Sequence, residues 1–235
     1  MKRKVAFLCI FILIIAVGVC GCMDHKDYEN EILNELERRY NKTFEIQQLT
    51  AEFDGNSGKF YRAVCKPADG GNLFVARYSC EKKVLYDEYC DMLLKEDIAQ
   101  YLVSGDLGIS YAVVNVITVG RALKAEDVAK GVEYCLSNDE FDVKVAVYAF
   151  LDQSLAADGE AEKKILDKLL SLDIYRCNLD VAYMTSDGLV AAKEEYTDVY
   201  RLGDRLEEDG RVSGYKCYIM SRESGIQSTQ IVKGE

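Results

Sequence analysis

The sequence has little histidine, proline or tryptophan: among 235 residues there are one histidine, one proline and no tryptophan. One imidazole excludes mechanisms that need two, and it excludes most histidine-rich zinc sites. A single proline argues against a proline-rich linker or a collagen-like segment. The formal net charge of −11 argues against nucleic-acid binding, because contacts to phosphates need clustered Lys and Arg.

The composition is that of a folded body. Apolar residues make up 49% of the chain and charged residues 29%, which is typical of globular domains rather than of disordered or multi-span membrane proteins. The length predicts one or two domains and is sufficient to bury a core.

The first 22 residues have the three parts of an export signal. Lys2, Arg3 and Lys4 form a basic start, and an apolar run of 15 residues follows from Val5 to Val19. Such a run is short for a membrane-spanning helix, which needs roughly 17–25 residues, and fits the apolar region of a signal peptide. An uncleaved anchor helix and an ordinary secretory signal are the alternatives.

The run ends in Val19-Cys20-Gly21-Cys22, which resembles the lipobox of bacterial lipoproteins. The resemblance implies that residues 1–21 are a signal peptide, cleaved between Gly21 and Cys22. It also implies that the Cys22 thiol carries a diacylglyceryl group and that the protein is anchored on the outer face of the cell membrane. It covers about a tenth of the chain and gives no information about the fold behind it.

The charge of the remaining chain does not favour binding to a bilayer. Cleavage removes three of the 29 basic residues and none of the 40 acidic ones, so 26 basic residues remain and the net charge becomes −14. Anionic lipids repel such a body. Attachment therefore depends on acyl chains, two of which bind far better than one. Residues 22–26 are the predicted lipid-anchored tether.

The rest of the chain predicts an α+β protein in two parts. The first, residues 27–103, is a small module in which a helix, a three-stranded meander and a second helix follow one another. Its helices are predicted over 27–40 and 85–102, and its strands over 43–53, 60–66 and 73–80. The polar segment 104–106 is the predicted boundary.

The second part, residues 107–220, is predicted to be a layered α/β domain. Strands and helices alternate in it, and strand direction is left open. We predict strands over 109–119, 142–151, 178–184 and 212–220, and helices over 126–136, 160–172 and 189–202. Residues 221–235 are polar and predict a flexible tail.

Six cysteines follow Cys22, and an even number in an exported protein suggests disulfides. Their spacing is wide and irregular, however, unlike that of a small disulfide-stapled domain. If Lys66 faces Asn72 in the predicted hairpin, Cys65 and Cys80 point to opposite faces and cannot bridge. We therefore expect mostly unpaired, buried thiols at positions 65, 80, 90, 135, 177 and 217.

The sequence contains no recognisable catalytic centre. Its single histidine, His25, lies three residues after Cys22, so Ser-His-Asp and Cys-His mechanisms are excluded. The segment from Gly55 to Lys59 looks superficially like a phosphate loop, but its spacing is short and Phe60 replaces the required Ser or Thr. We interpret it as a hairpin turn.

The sequence also contains no recognisable motif for a metal or ligand site. The acidic groups within 139–142 and 207–209 lack the spacing of a calcium loop, and no cofactor is predicted. Tyrosines could line a ligand groove, although they are more often core residues. The pairs in question are Tyr196 with Tyr200 and Tyr215 with Tyr218.

These observations favour a membrane-anchored, extracytoplasmic lipoprotein that is a non-enzymatic binding or accessory protein. Its expected partners are the lipid bilayer, through the acylated N-terminus, and a protein or small molecule that the sequence does not identify. A solute receptor of a transporter and a hydrolase that uses only carboxylates are the alternatives. No catalytic or metal residue is assigned, and the ligand-binding residues are left open.

Overall fold

The computed structural model describes residues 25–55, 58–157, 159–197 and 201–233. The chain divides into two compact units, residues 1–87 and 88–235, which we describe separately. Both combine helices with mostly antiparallel sheet, and the predicted α+β class is confirmed. The predicted signal peptide with its lipobox, Gly21 and Cys22 included, lies outside the described residues.

The first unit packs one helix on a four-stranded antiparallel sheet with the strand order β1-β2-β3-β4. The helix α1 buries Ile32 and Leu36, one turn apart, and has Asp27 in its first turn, where a negative charge suits the helix dipole. The elements are α1 (His25–Tyr40), β1 (Phe44–Asp54), β2 (Gly58–Pro67), β3 (Phe74–Ser79) and β4 (Val84–Asp87).

The second unit is built on a five-stranded sheet with the order β5-β6-β7-β8-β9, in which only β6 and β7 are parallel. Its helices are α2 (Tyr89–Ser104), α3 (Ala125–Val128), α4 (Val132–Ser137), α5 (Glu160–Ser171), α6 (Ser186–Glu195) and α7 (Leu202–Glu208). Its strands are β5 (Ile109–Thr118), β6 (Val143–Asp152), β7 (Arg176–Met184), β8 (Val212–Ser221) and β9 (Gly225–Lys233).

The two faces of this sheet are covered differently. Side chains alternate between faces along each strand, and α2 and α5 pack on the face that carries Val114 and Tyr183. Helices α6 and α7 pack on the opposite face, against Ala182 and Met184 of β7. These two short helices contact one end of that face, and within the described residues of the second unit its other end is left open.

The boundary between the units differs from the predicted one at residues 104–106. It falls between Asp87 and Glu88, because α2 packs mainly on β5. The apolar side of α2, with Leu94, Ile98 and Leu102 almost fully buried, therefore belongs to the second unit. Independent folding of the parts remains a prediction.

Four elements differ from the predicted ones. The meander has a fourth strand, β4, and residues 225–233 of the predicted flexible tail form the edge strand β9. The helix predicted over 126–136 is two helices separated at Gly131, whose φ of 96° is not helical. The helix predicted over 189–202 is also two, and α7 begins after Arg201 in the left-handed region.

The six cysteines of the described residues form no disulfide with one another. The β2–β3 register pairs Cys65 with Phe74, one residue away from the predicted Leu73. This slip reverses the parity argument, since Cys65 and the position of Cys80 then share a face. Six residue positions along the ladder nevertheless separate them by roughly 20 Å, too far for a disulfide. Burial raises the pKa of the Cys65 and Cys177 thiols to about 12, so neither is a ready nucleophile.

Thiol labelling should separate the native from the unfolded protein. Cys65, Cys135 and Cys177 have no exposed surface, and we expect them to remain unlabelled by a maleimide in the native protein. In denaturant without reductant all six should react. Peptide mass spectrometry reads out each site, and disulfide-linked peptides among the six would contradict the structure.

Candidate functional site

The uncovered end of the α6–α7 side of the second sheet is the candidate site, and we call it the open face. It consists of residues on three neighbouring strands. Its members are Asn115, Ile117, Lys144, Ala146, Arg176 and Asn178.

Strand pairing sets these side chains in two rows. Ile117 of β5 is paired with Lys144 of β6, which in turn is paired with Arg176 of β7. Two residues along each strand, and so on the same face, Asn115, Ala146 and Asn178 form the second row. The parallel β6–β7 pairing thus places Lys144 beside Arg176, on strands about 4.8 Å apart.

The two rows line a groove with a volume of about 280 Å³. A second groove of about 190 Å³ adjoins it, and its lining includes Tyr175, Glu223 and Gln227. Lys144 and Arg176 line both grooves. The two cations therefore lie where the grooves meet.

Neither cation is neutralised within the described part of the chain. Lys144 is half-buried and Arg176 is exposed, and neither has an ion pair or a side-chain hydrogen bond to a described residue. Like charges on directly paired strand positions repel each other and destabilise a sheet. Two adjacent unpaired cations are therefore unexpected in a chain whose net charge is −11.

A carboxyl group with a perturbed pKa lies one row further along the same face. Asp180 of β7 is paired with Tyr148 of β6 and with Cys217 of β8. Its Oδ1 accepts hydrogen bonds from the Tyr215 hydroxyl and the Cys217 thiol, both at 2.7 Å. Burial raises the pKa of Asp180 and outweighs the two hydrogen bonds, which lower it.

This arrangement suits binding. The ammonium, the guanidinium and the two asparagine amides supply hydrogen-bond donors from one surface, and the asparagine oxygens add acceptors. Asp180 lines neither groove, although it lies on the same face of β7 as Asn178, which lines the larger one. The open face is therefore equipped to bind a polar or anionic ligand.

The opposite face of the sheet holds a more buried polar cluster. Glu162 of α5, 5% exposed, accepts hydrogen bonds from the hydroxyls of Tyr183, at 2.5 Å, and Tyr218. Lys216 Nζ lies 2.7 Å from Glu162 Oε1. Burial alone would raise the pKa of Glu162. These three partners together lower the pKa by more than burial raises it, so it lies below its ordinary value. Because its acceptors are satisfied inside the core, we assign this cluster to stability.

The residues singled out from the sequence are dispersed. His25 begins α1 and packs edge-on against the Tyr61 ring, with 5.1 Å between centroids. Asp209 accepts hydrogen bonds from Arg211 and the Tyr196 hydroxyl. Tyr200 lies outside the described residues.

The other candidate tyrosines do not form a common groove. Tyr215 and Tyr218 are three residues apart on β8, so they point to opposite faces and bind Asp180 and Glu162 respectively. Both are buried. The interpretation as core tyrosines with partnered hydroxyls therefore fits them.

Lys144 and Arg176 are not among the candidate residues that the sequence singles out. Each occupies an ordinary solvent-facing position of an alternating strand, and 31 residues separate them along the chain. Their one usable signal is the parallel pairing of the two strands, which a single sequence left open.

Within the described residues, no group of three or more His, Cys, Asp or Glu side chains is arranged to hold a metal ion. No helix in the same part of the chain is long and apolar enough to cross a membrane.

The comparisons with known proteins identify a shared fold. No family model and no curated protein matches the chain. A crystal structure of a DUF5037 family protein from Ruminococcus gnavus ATCC 29149 is similar at 15% sequence identity, with a TM-score of 0.55. The match covers 86% of this chain and 94% of that one. The chain is therefore similar in fold, over most of its length, to a DUF5037 family protein.

Proposed function

We propose that the chain is a lipid-anchored, extracytoplasmic bacterial lipoprotein that binds a small polar ligand on the open face and does not transform it. The observation that carries the binding role is the pair of un-neutralised cations, Lys144 and Arg176, at the junction of two grooves. Adjacent like charges cost stability, and a bound anion offsets that cost.

The anchoring part of the proposal rests on the lipobox-like Val19-Cys20-Gly21-Cys22. The first helix begins at His25, three residues after Cys22. A tether of this length would hold the first unit close to the bilayer, where the acyl chains and not charge supply the attachment.

Ligand co-purification tests the binding role. The full-length protein, purified in detergent, is incubated with a small-molecule extract of bacterial culture medium, washed and analysed by mass spectrometry beside the variant Lys144→Gln/Arg176→Gln. We expect at least one compound to be enriched on the wild-type protein and lost from the variant, because the variant keeps the fold and removes both cations.

The outcomes of this experiment distinguish a binding role from no binding at the open face and from an enzymatic role. Equal recovery of every compound from the two proteins would contradict a binding role for the open face. Conversion of the enriched compound to a product during incubation would contradict the non-enzymatic role and favour the carboxylate-dependent hydrolase, for which Asp180 is the carboxyl group at the same face.

A further inference from the structure

We infer that the ligand of the open face is a soluble molecule bearing a single phosphate monoester, whose phosphate is held by Lys144 and Arg176. This inference rests on the proposed binding function and specifies the chemistry of its ligand. The number and kind of hydrogen-bond donors on the open face, together with its groove, point to this ligand.

The donor set exceeds what one carboxylate can use. A guanidinium engages a carboxylate through two parallel hydrogen bonds, which would leave the Lys144 ammonium without an anion. A phosphate monoester carries about −1.5 to −2 charge at pH 7 and has three terminal oxygens. It accepts the guanidinium fork on two oxygens and the ammonium on the third, and so neutralises both cations.

The second row of the open face extends this match. The side chains of Asn115 and Asn178 line the same groove, and neither makes a hydrogen bond to another described side chain. Their amide groups donate to phosphate or ester oxygens that project along the strands. A ligand without acceptors in this position leaves these donors facing water.

The adjoining groove limits the rest of the ligand. Its lining includes Glu223 and Tyr175, and Tyr175 is 36% exposed. A second phosphate there would be repelled by Glu223. A small organic group that carries a hydroxyl or an ammonium fits both residues. We therefore restrict the ligand to one phosphate.

Titration calorimetry of the full-length protein in detergent tests the inference with O-phosphoethanolamine as the probe. We expect saturable binding that weakens about tenfold or more in Lys144→Gln and in Arg176→Gln, because each variant loses charged hydrogen bonds to the phosphate. High salt should also weaken the binding. Arg176→Lys keeps the charge without the fork and should lie between Arg176→Gln and wild type.

Lys164→Gln is the matched control. Lys164 is an exposed lysine of α5 with no ion pair to a described residue, so the variant makes the same change in net charge and should bind like wild type. Without ligand, Lys144→Gln and Arg176→Gln should melt no lower than wild type, because each removes a like-charge repulsion. A lower melting temperature would mean that the side chains have a structural role, and would overturn the inference.

Two further results would overturn it. Succinate binding as tightly as O-phosphoethanolamine would show a general dianion site, and absence of O-phosphoethanolamine binding would exclude the phosphate ligand. Either result leaves the proposed binding function standing if ligand co-purification still depends on Lys144 and Arg176. If co-purification does not depend on Lys144 and Arg176, both the phosphate inference and the proposed binding function are contradicted.

Discussion

Replacing Glu162 with Leu is expected to lower the free energy of unfolding by about 3–5 kcal/mol, the range for breaking a buried, hydrogen-bonded charge pair. The substitution leaves the Tyr183 and Tyr218 hydroxyls, both in buried side chains, without their acceptor. It also leaves Lys216 without the carboxylate 2.7 Å away. Urea unfolding followed by circular dichroism measures the change.

Two further variants distinguish the cost of the lost hydrogen bonds from the cost of the changed packing. Glu194→Leu makes the same replacement at an exposed position of α6 and should change stability by less than about 0.5 kcal/mol. Adding Tyr183→Phe and Tyr218→Phe to Glu162→Leu removes the stranded hydroxyls and should recover part of the loss. A triple variant no more stable than Glu162→Leu would show that packing, not hydrogen bonding, sets the cost.

The pH dependence of the same cluster has a defined sign. The pKa of Glu162 is lower in the folded protein than its ordinary value. Its ionised form therefore contributes stability that is complete above the pKa of the unfolded carboxyl group and is lost as the pH falls through the folded pKa. Glu162→Gln should make this part of the acid destabilisation disappear. An unchanged acid profile in Glu162→Gln would contradict the downward shift.

Whether the sequence predicts a helix or strand depends on where the apolar side chains of that element point. Strands β5 to β8 and helix α5 have clear apolar periods because one or both of their faces meet the core. Strand β9 lies at the sheet edge and has mostly exposed residues, so it lacks that period and its sequence resembles a tail. Strand β4 has four residues, too few to show an alternation.

The candidate site is harder to predict from the sequence than the fold is. Whether Lys144 and Arg176 are neighbours depends on the direction and register of β6 and β7, which hydrophobic periodicity does not determine. Glu162 has the pattern of a solvent-facing acid in the first turn of a helix, and its burial depends on three residues of β7 and β8. Both are tertiary properties without a local signature.

Replacing Cys22 with Ser is expected to abolish incorporation of labelled fatty acid completely. The substitution removes the only atom that the lipobox resemblance assigns as acyl acceptor and leaves the apolar run from Val5 to Val19 intact. Cys20→Ser is the matched control, because Gly21-Cys22 is retained and labelling should continue. Label must be read on the N-terminal peptide, since an unprocessed signal can itself hold the Ser variant on the membrane. Label retained by Cys22→Ser would contradict the assignment.

The mass of the N-terminal peptide of the wild-type protein, purified from bacterial membranes, tests whether the chain is a lipid-anchored lipoprotein. We expect a peptide that begins at Cys22 and carries a diacylglyceryl group on its thiol. A peptide that begins at Met1, or at any residue other than Cys22 and without lipid, would contradict it.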